Sequence, residues 1–589
     1  IGLIFRLTGL APTMAKGYRN TLFTSVKTPR VPLNRFDLSF DRIGTYRMGK
    51  LYPIICKEML PGDRFRVRTD SLVRTMPLSS PAFGRLRMYI HYFFVPNRLV
   101  WDNWEDFITG GESGEDTHVP PYVQWSDLVG GDFQARSKSD TAGNWTYKPE
   151  DGLVAAFGLP AQPYAGSNVV DAGVANGIST TTPVSALPFR GYRLIWNEYY
   201  RDQNVDDELP IATNKDGKYL IDGIGDAAFK ESIFGDLLSR RWLKDYFTSA
   251  LPTPQRGPDV QLPIVGEGGT IQADGPLKLL IQNEGTGSTT TTSSVFAPDL
   301  NVGLGNTTGI GISSSVNDQF PVEKDHTDLM YASGLTTAGG SVVAATINDL
   351  RRAIALQRFY EISARAGSRY IETIMGHFHV RSSDARLQRP EYLGGGVTDI
   401  NVGEVLQTSA TDQTSPQGNM AGRGFGIGRS NQCTYRAEEH GYLFGIMSII
   451  PEPFYYQGID KEWTRQSRVD YYWPSFAHLG EQEIDKSELS VGTSDGETDT
   501  YGKLFGYAPR YAEYKFSKNV ITGLLRGSLA NWTFTRKISD PNLNAAFLEI
   551  PQVNNPFAVQ DEDTDKFIIW LSNDIRALRP MPFFGTPSI

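Results

Sequence analysis

The run Gly84–Pro96 reads GRLRMYIHYFFVP. Leu86, Met88, Ile90, Tyr92 and Phe94 occupy every second position, the period of a strand that buries one face. Pro96 ends it, because proline has no amide hydrogen to give a ladder. Just upstream, Arg64, Arg66 and Arg68 alternate with Phe65 and Val67, which predicts a strand with one dry and one polar face. Downstream, VWDNWEDFITGG spaces Trp101, Trp104 and Ile108 as on one helix face, with Gly110–Gly111 as the stop.

Further out, residues 111–183 are polar and irregular, rich in Gly, Asp and Pro. A helix is predicted in LPFRGYRLIWNEYYRDQN, with Tyr192, Ile195, Trp196 and Tyr199 on one face. Another is predicted in TINDLRRAIALQRFYEISARAG, with Ile347, Leu350, Ile354 and Ile362 as the apolar stripe. Between them, residues 259–345 are dominated by Gly, Thr, Ser and Asn and include the tract GTGSTTTTSS at 285–294. After the second helix come short β-like runs: YLFGIMSII, FYYQGI, RVDYYWPSF, ITGLLRGSL and KFIIWLS. Many short strands, long loops and few helices define a mainly β protein, a sandwich or jelly roll.

Composition supports that class. The 589 residues are 40% hydrophobic and 12% aromatic, with 59 Gly and 35 Pro. The net charge of −9 argues against a surface coated for nucleic acid, yet it is unevenly spread. Residues 1–36 carry Arg6, Lys16, Arg19, Lys27, Arg30 and Arg35 and no acid, so +6 sits on this arm and −15 on the remainder. Such an arm either binds a polyanion or is a solubilising tail. Two cysteines exclude a disulfide framework and fit a reducing compartment. No apolar run spans a bilayer, the opening residues make a poor signal peptide, and Met14 looks like a more natural start.

Catalytic signals are weak. His377 and His379 would share a strand face and offer a metal pair only if a third ligand arrived. Glu438-Glu439-His440 reads as a surface cluster at a strand start, and Asp102, Glu105 and Asp106 as a solvated helix face. GRGFGIG at 422–428 lacks the Lys-Ser/Thr of a phosphate loop and reads as a flexible loop. The aromatic runs HYFF, WNEYY, FYY and DYYW suit a core and subunit contacts better than base stacking. No catalytic residue, cofactor or metal site is assigned.

Eight longer blocks carry a family resemblance: HYFFVPNRLVWDNWEDFITGG (91–111), LIWNEYYRDQN (194–204), DYFTSALPTPQRGP (245–258), SRYIETIMGHF (368–378), DARLQRPEYLGG (384–395), SPQGN (415–419), YYWPSFAHLGEQ (471–482) and ALRPMPFFGTP (577–587). In order and content they resemble the major capsid proteins of gokushoviruses, small Microviridae phages with circular single-stranded DNA. The resemblance implies an eight-stranded viral jelly-roll β-sandwich with long inserted loops and a few helices. It also implies self-assembly into the simplest (T=1) icosahedral shell around the genome, beside a small basic DNA-associated virion protein. It further implies that the variable insertion projects at the three-fold axes and meets a host cell-surface receptor.

On this reading, residues 1–36 are a basic arm, 37–258 and 346–589 form the jelly-roll body (with the irregular excursion 111–183), and 259–345 form the protrusion. Lys16, Arg19, Lys27 and Arg30 are the candidate DNA-facing residues. Gly285, Thr286, Ser288, Thr290, Ser294 and Asn306 are the candidate host-facing ones. Assembly would take place in the bacterial cytoplasm, with no membrane insertion. The rival is a glycan-binding or glycan-hydrolysing β-sandwich, which closed shells in negative-stain images would exclude.

Overall fold

The computed structural model describes residues 32–111, 116–125, 128, 138–139, 145–146, 152–159, 182–219, 233–255, 271–282, 289–291, 301–304, 310–313, 329–337, 347–366, 388–408, 417–492, 500–539, 541–561 and 564–584. By its internal contacts the chain divides into two units, residues 255–366 and the remainder.

Ten antiparallel strands build the body: β1 (Asn34–Asp37), β2 (Phe40–Tyr46), β3 (Tyr52–Met59), β4 (Arg64–Thr75), β5 (Leu86–Pro96), β6 (Glu391–Leu406), β7 (Met420–Arg429), β8 (Cys433–Arg436), β9 (Gly441–Pro451) and β10 (Phe567–Arg579). The alternation at Leu86–Phe94 becomes β5, with those five side chains buried. One sheet runs β1 and β2, β10, β4, then β7 and β8. The other runs β6, β5, β9, β3. With β1/β2 and β7/β8 each counted as one strand position, the order by chain position is 1-8-3-6 facing 2-7-4-5. That is the jelly roll. β6 joins the two layers: its residues 391–400 pair with β5, and 401–406 pair with β7.

Phe65, Val67, Ile569 and Leu571 of the first sheet and Met88, Ile90 and Met447 of the second are buried in a single core. Burying each such side chain contributes about 1.5–3 kcal/mol. One polar link crosses this core. The Tyr92 hydroxyl bonds Thr69 Oγ1 at 2.7 Å and Ser430 Oγ at 2.8 Å, and Thr69 Oγ1 donates to Asn573 Oδ1 at 2.8 Å. Every member is buried, so the network fixes how the two sheets face each other.

The GRGFGIG run is a strand, not a flexible loop: it lies within β7, paired to β4 and β6. Its glycines are needed for space. A Cβ on Gly424 would sit 2.3 Å from Thr75 Cγ2, and one on Gly428 would sit 1.8 Å from Thr398 Oγ1.

Two long insertions leave the sandwich at opposite ends. Residues 97–390 leave beside Gly441, which faces Pro96, and 452–566 leave beside Leu86, which faces Pro451. The first insertion supplies α1 (Trp104–Thr109) and α2 (Leu187–Ile195). In α1 the expected face is corrected: Trp101 precedes the helix and is buried, Ile108 is exposed, and Phe107 packs on Trp101 and Trp104 instead. Gly110 ends it in the left-handed conformation.

α2 lies over the outer face of the second sheet, with Gly191 against Phe444 and Val95. It continues as a π-helical turn, Trp196–Tyr200, whose Tyr199 and Tyr200 pack on Phe93. The first sheet has no such helix over its outer face among the described residues. In the second insertion, RVDYYWPSF and ITGLLRGSL form 3-10 turns (Arg468–Asp470, Pro474–Phe476, Gly523–Arg526) rather than strands. They pair with no sheet, and the aromatic residues there pack on one another instead.

Within the unit 255–366, the strand Ile271–Gln282 pairs with Thr289–Thr291 on one side and Leu329–Thr337 on the other. Asn301–Leu304 and Ile310–Ser313 form a ribbon, and α3 spans Ile347–Ala366. Leu350 and Ile354 of the expected stripe are exposed, as are Leu356 and Phe359 on the opposite side. Apolar residues therefore ring α3 instead of marking one face.

Candidate nucleic-acid interface

Because α2 covers the second sheet, the outer face of the first sheet is where side chains meet solvent across several strands. The alternation in β4 sends Phe65 and Val67 inward and Arg64, Arg66, Arg68 and Arg74 outward. Register then decides what stands beside them. Arg64 faces Arg436 of β8 on one side and Leu578 of β10 on the other, and Leu578 in turn faces Arg35 of β1. Arg66 faces Arg576. Like charges directly opposite each other on antiparallel strands are destabilising.

Carboxylates offset only part of this charge. Asp574 pairs with Arg68 and Arg576, each at 3.2 Å, and Asp70 takes Arg429 in two bonds of 2.7 and 3.0 Å. Those bonds raise the pKa of Arg429. Asp37 faces Arg576, but its carboxyl is held below the usual range chiefly by hydrogen bonds from Ser39. Arg35, Arg64, Arg66, Arg74 and Arg436 make no ion pair among the described residues.

Next to the arginines the same face turns apolar. Ile43, Trp570, Leu72 and Ile427 form one transverse row across β2, β10, β4 and β7. Ile568 and Phe425 flank Arg74 in the following row. Trp570 and Phe425 keep about two-fifths of their surface exposed, at 38% and 42%. On the side of β1 opposite Arg35, Phe583 stacks on Phe36 at 5.8 Å, and Phe584 is exposed beside it. Unpaired cations next to open aromatic rings on a rigid sheet can hold a flexible polyanion: phosphates on guanidinium groups, bases on rings.

The residues singled out from sequence fall as follows. Lys16, Arg19, Lys27 and Arg30 lie outside the described residues, but the arm enters the described fold at 32 and places Arg35 on this face. Gly285, Thr286, Ser288, Ser294, Asn306, His377 and His379 also lie outside. Thr290 is in the strand Thr289–Thr291, paired to Leu280–Gln282. Glu438-Glu439-His440 directly precedes β9: Glu439 takes Arg98 Nε at 2.7 Å, and His440 packs on Trp104. Asp102 accepts from Thr213 at 3.0 Å, apart from Glu105 and Asp106 in the first turn of α1. Sequence reading missed Arg436, Arg576, Trp570 and Phe425 as site residues. Only the Arg64-Arg66-Arg68 alternation hinted at this face.

The strand order places the body in the jelly-roll class of β-sandwich proteins, which includes viral capsid subunits, lectin domains and cupins. The family model described as "Capsid protein (F protein)" matches residues 24–147 and 122–589, and the chain belongs to that phage capsid family. It is 33% identical to capsid protein VP1 of Chlamydia phage 1, over 98% of this chain and all of the relative. It is 32% identical to VP1 of Bdellovibrio phage phiMH2K, over 98% of this chain and 99% of that protein. Against VP1 of Spiroplasma virus 4 the identity is 27%, over 96% and 97%. The protein is a structural capsid subunit that assembles into a virion shell. No described helix is long and apolar enough to cross a membrane.

Proposed function

We propose that the outer face of the β1–β10–β4–β8 sheet lines the shell interior and holds the single-stranded DNA genome. The observation that carries this reading is Arg64 directly opposite Arg436, neither with a carboxylate partner among the described residues. An anion bound between the two guanidinium groups relieves their repulsion, and phosphate supplies one. Arg35, where the basic arm enters the described residues, stands on the same face, and a small basic virion protein shares the genome's charge.

The test is the DNA content of particles carrying Arg64→Ser, Arg66→Ser and Arg436→Ser together. The expected result is intact shells with reduced or unstable DNA content. Unchanged packaging would overturn the proposal. Adding Lys16→Ser, Arg19→Ser, Lys27→Ser and Arg30→Ser should deepen the loss.

Host attachment is assigned to residues 259–345, which fall within the unit 255–366, a unit set inside the first insertion and compact by its own contacts. Shortening Gly285–Ser294 should leave particles forming while adsorption to host cells changes; loss of assembly would make that tract structural. The subunit's role is mechanical rather than catalytic, and assembly is placed in the host cytoplasm. In support of that compartment, Cys56 and Cys433 are free thiols.

A further inference from the structure

The HYFF and WNEYY runs meet at a cavity of about 380 Å³ on the outer face of the second sheet. β5 supplies His91 and Phe93, β6 supplies Tyr392, the π-helical turn supplies Tyr199 and Tyr200, and residues 240–244 close the remaining side. The rings brace one another. Phe93 lies 5.5 Å from Tyr392 and 6.2 Å from Tyr200, and His91 lies 5.8 Å from Tyr392. Tyr392 stays about half exposed.

The cavity is lined by the cations Arg201, Arg240, Arg241 and Lys244. Arg241 holds Asp206 through two bonds of 2.7 Å, Lys244 pairs with Asp202, and Arg201 reaches Glu208 at 3.8 Å. Arg240 differs from these three. It is 7% exposed, its guanidinium lies 4.4 Å from the Tyr89 ring and 5.7 Å from that of Tyr200, and it has no carboxylate partner among the described residues. Its side-chain hydrogen bond there runs from Nη1 to Ser448 Oγ at 2.6 Å. Nε and Nη2, adjacent donors on one edge of the planar group, are left unmatched and are not sealed from the cavity. A buried charge is costly unless it is both paired and hydrogen-bonded. His91 adds no charge at neutral pH, because burial and the Arg240 charge hold its pKa down at about 4.

We propose that this cavity binds a small aromatic carboxylate, its two oxygens on the Nε–Nη2 edge of Arg240 and its ring against Tyr200 and Tyr392. Charge selects the acid. One unanswered guanidinium balances one negative charge, and the other cations already hold carboxylates, so a monoanion fits better than a phosphate dianion. The walls select the body. Flat rings stack on aromatic side chains, whereas a sugar needs several free hydrogen-bonding groups. Those groups are spent here on the Arg241–Asp206 and Lys244–Asp202 pairs. The volume falls within the range of ordinary small-molecule sites. The site is separate from the arginine face, which belongs to the other sheet.

The test is titration calorimetry of 4-hydroxybenzoate into the full-length subunit, with 4-hydroxybenzamide, phenyl phosphate and glucuronate as comparisons. The acid is expected to bind and to raise the melting temperature. The amide, of the same shape but without the charge, is expected to bind at least about ten-fold more weakly. No binding of the acid, or equal binding of acid and amide, would overturn the proposal. Tighter binding of phenyl phosphate or of glucuronate would also overturn it, in favour of a phosphate or an acidic sugar. Arg240→Met should remove the difference between acid and amide; a folded variant that keeps it would refute the role of Arg240. Tyr392→Ala changes only a half-exposed ring and covers the case in which Arg240→Met does not fold. It should weaken binding of the acid by about two- to ten-fold, and unchanged affinity would refute the ring contact.

Discussion

Arg64 of β4 and Arg436 of β8 stand directly opposite each other on paired antiparallel strands, and neither has a carboxylate partner among the described residues. Two opposed guanidinium groups cost the free subunit roughly 0.2–1 kcal/mol. Arg436→Ser is therefore expected to raise the denaturant midpoint of the isolated subunit slightly at low salt while weakening single-stranded DNA binding. Stability and binding moving in the same direction would show that the pair is structural.

Trp570 and Arg66 separate the two parts of the proposed interface. Arg66→Ser should weaken binding and flatten its salt dependence, by about 0.7 in the log–log slope for each phosphate no longer neutralised. Trp570→Ala should weaken binding by about 1–3 kcal/mol with the slope unchanged, because stacking releases no counterions. Titrations of oligonucleotide at several salt concentrations measure both.

Gly424 tests the close packing of β7. Gly424→Ala places a methyl group 2.3 Å from Thr75 Cγ2, and overpacking of this kind costs about 1–3 kcal/mol. Gly403→Ala, with its nearest neighbour 3.9 Å away, should be close to neutral. Urea unfolding of the two variants provides the comparison.

His91 gives a pH dependence with a defined sign. Burial, with the nearby Arg240 charge, lowers its pKa from 6.5 to about 4, and its Nδ1 shares a 2.8 Å hydrogen bond with the Tyr200 hydroxyl. The folded state keeps it neutral, whereas the unfolded chain takes up a proton below pH 6.5. Its contribution is intact above that pH and is lost as the pH falls toward 4, by up to about 3 kcal/mol. His91→Gln should lose less stability than the unsubstituted protein across this window. Parallel pH profiles would refute the assignment.

The strands are legible where one face is dry. Leu86–Phe94 and Arg64–Arg68 each state their period and their inner face in a few residues, and both fold accordingly. GRGFGIG and RVDYYWPSF depart from their local patterns for the same reason in opposite directions. Glycine in β7 is set by neighbours such as Thr75 and Thr398 that touch it only in the fold. The strand-like aromatics at 471–473 find no sheet edge and instead pack around Arg465, Tyr511 and Tyr514.

The sequence alone determined the β class, the inward and outward sides of the main strands, the basic arm and the family resemblance, because each is written in local period or in contiguous blocks. Only the tertiary structure decided that Arg64 meets Arg436, that Arg66 meets Arg576, and that α2 covers the second sheet while no helix among the described residues covers the first. Cross-strand neighbours are set by register between segments far apart in the chain. Register, in turn, is set by packing the whole core at once, and no local pattern encodes it.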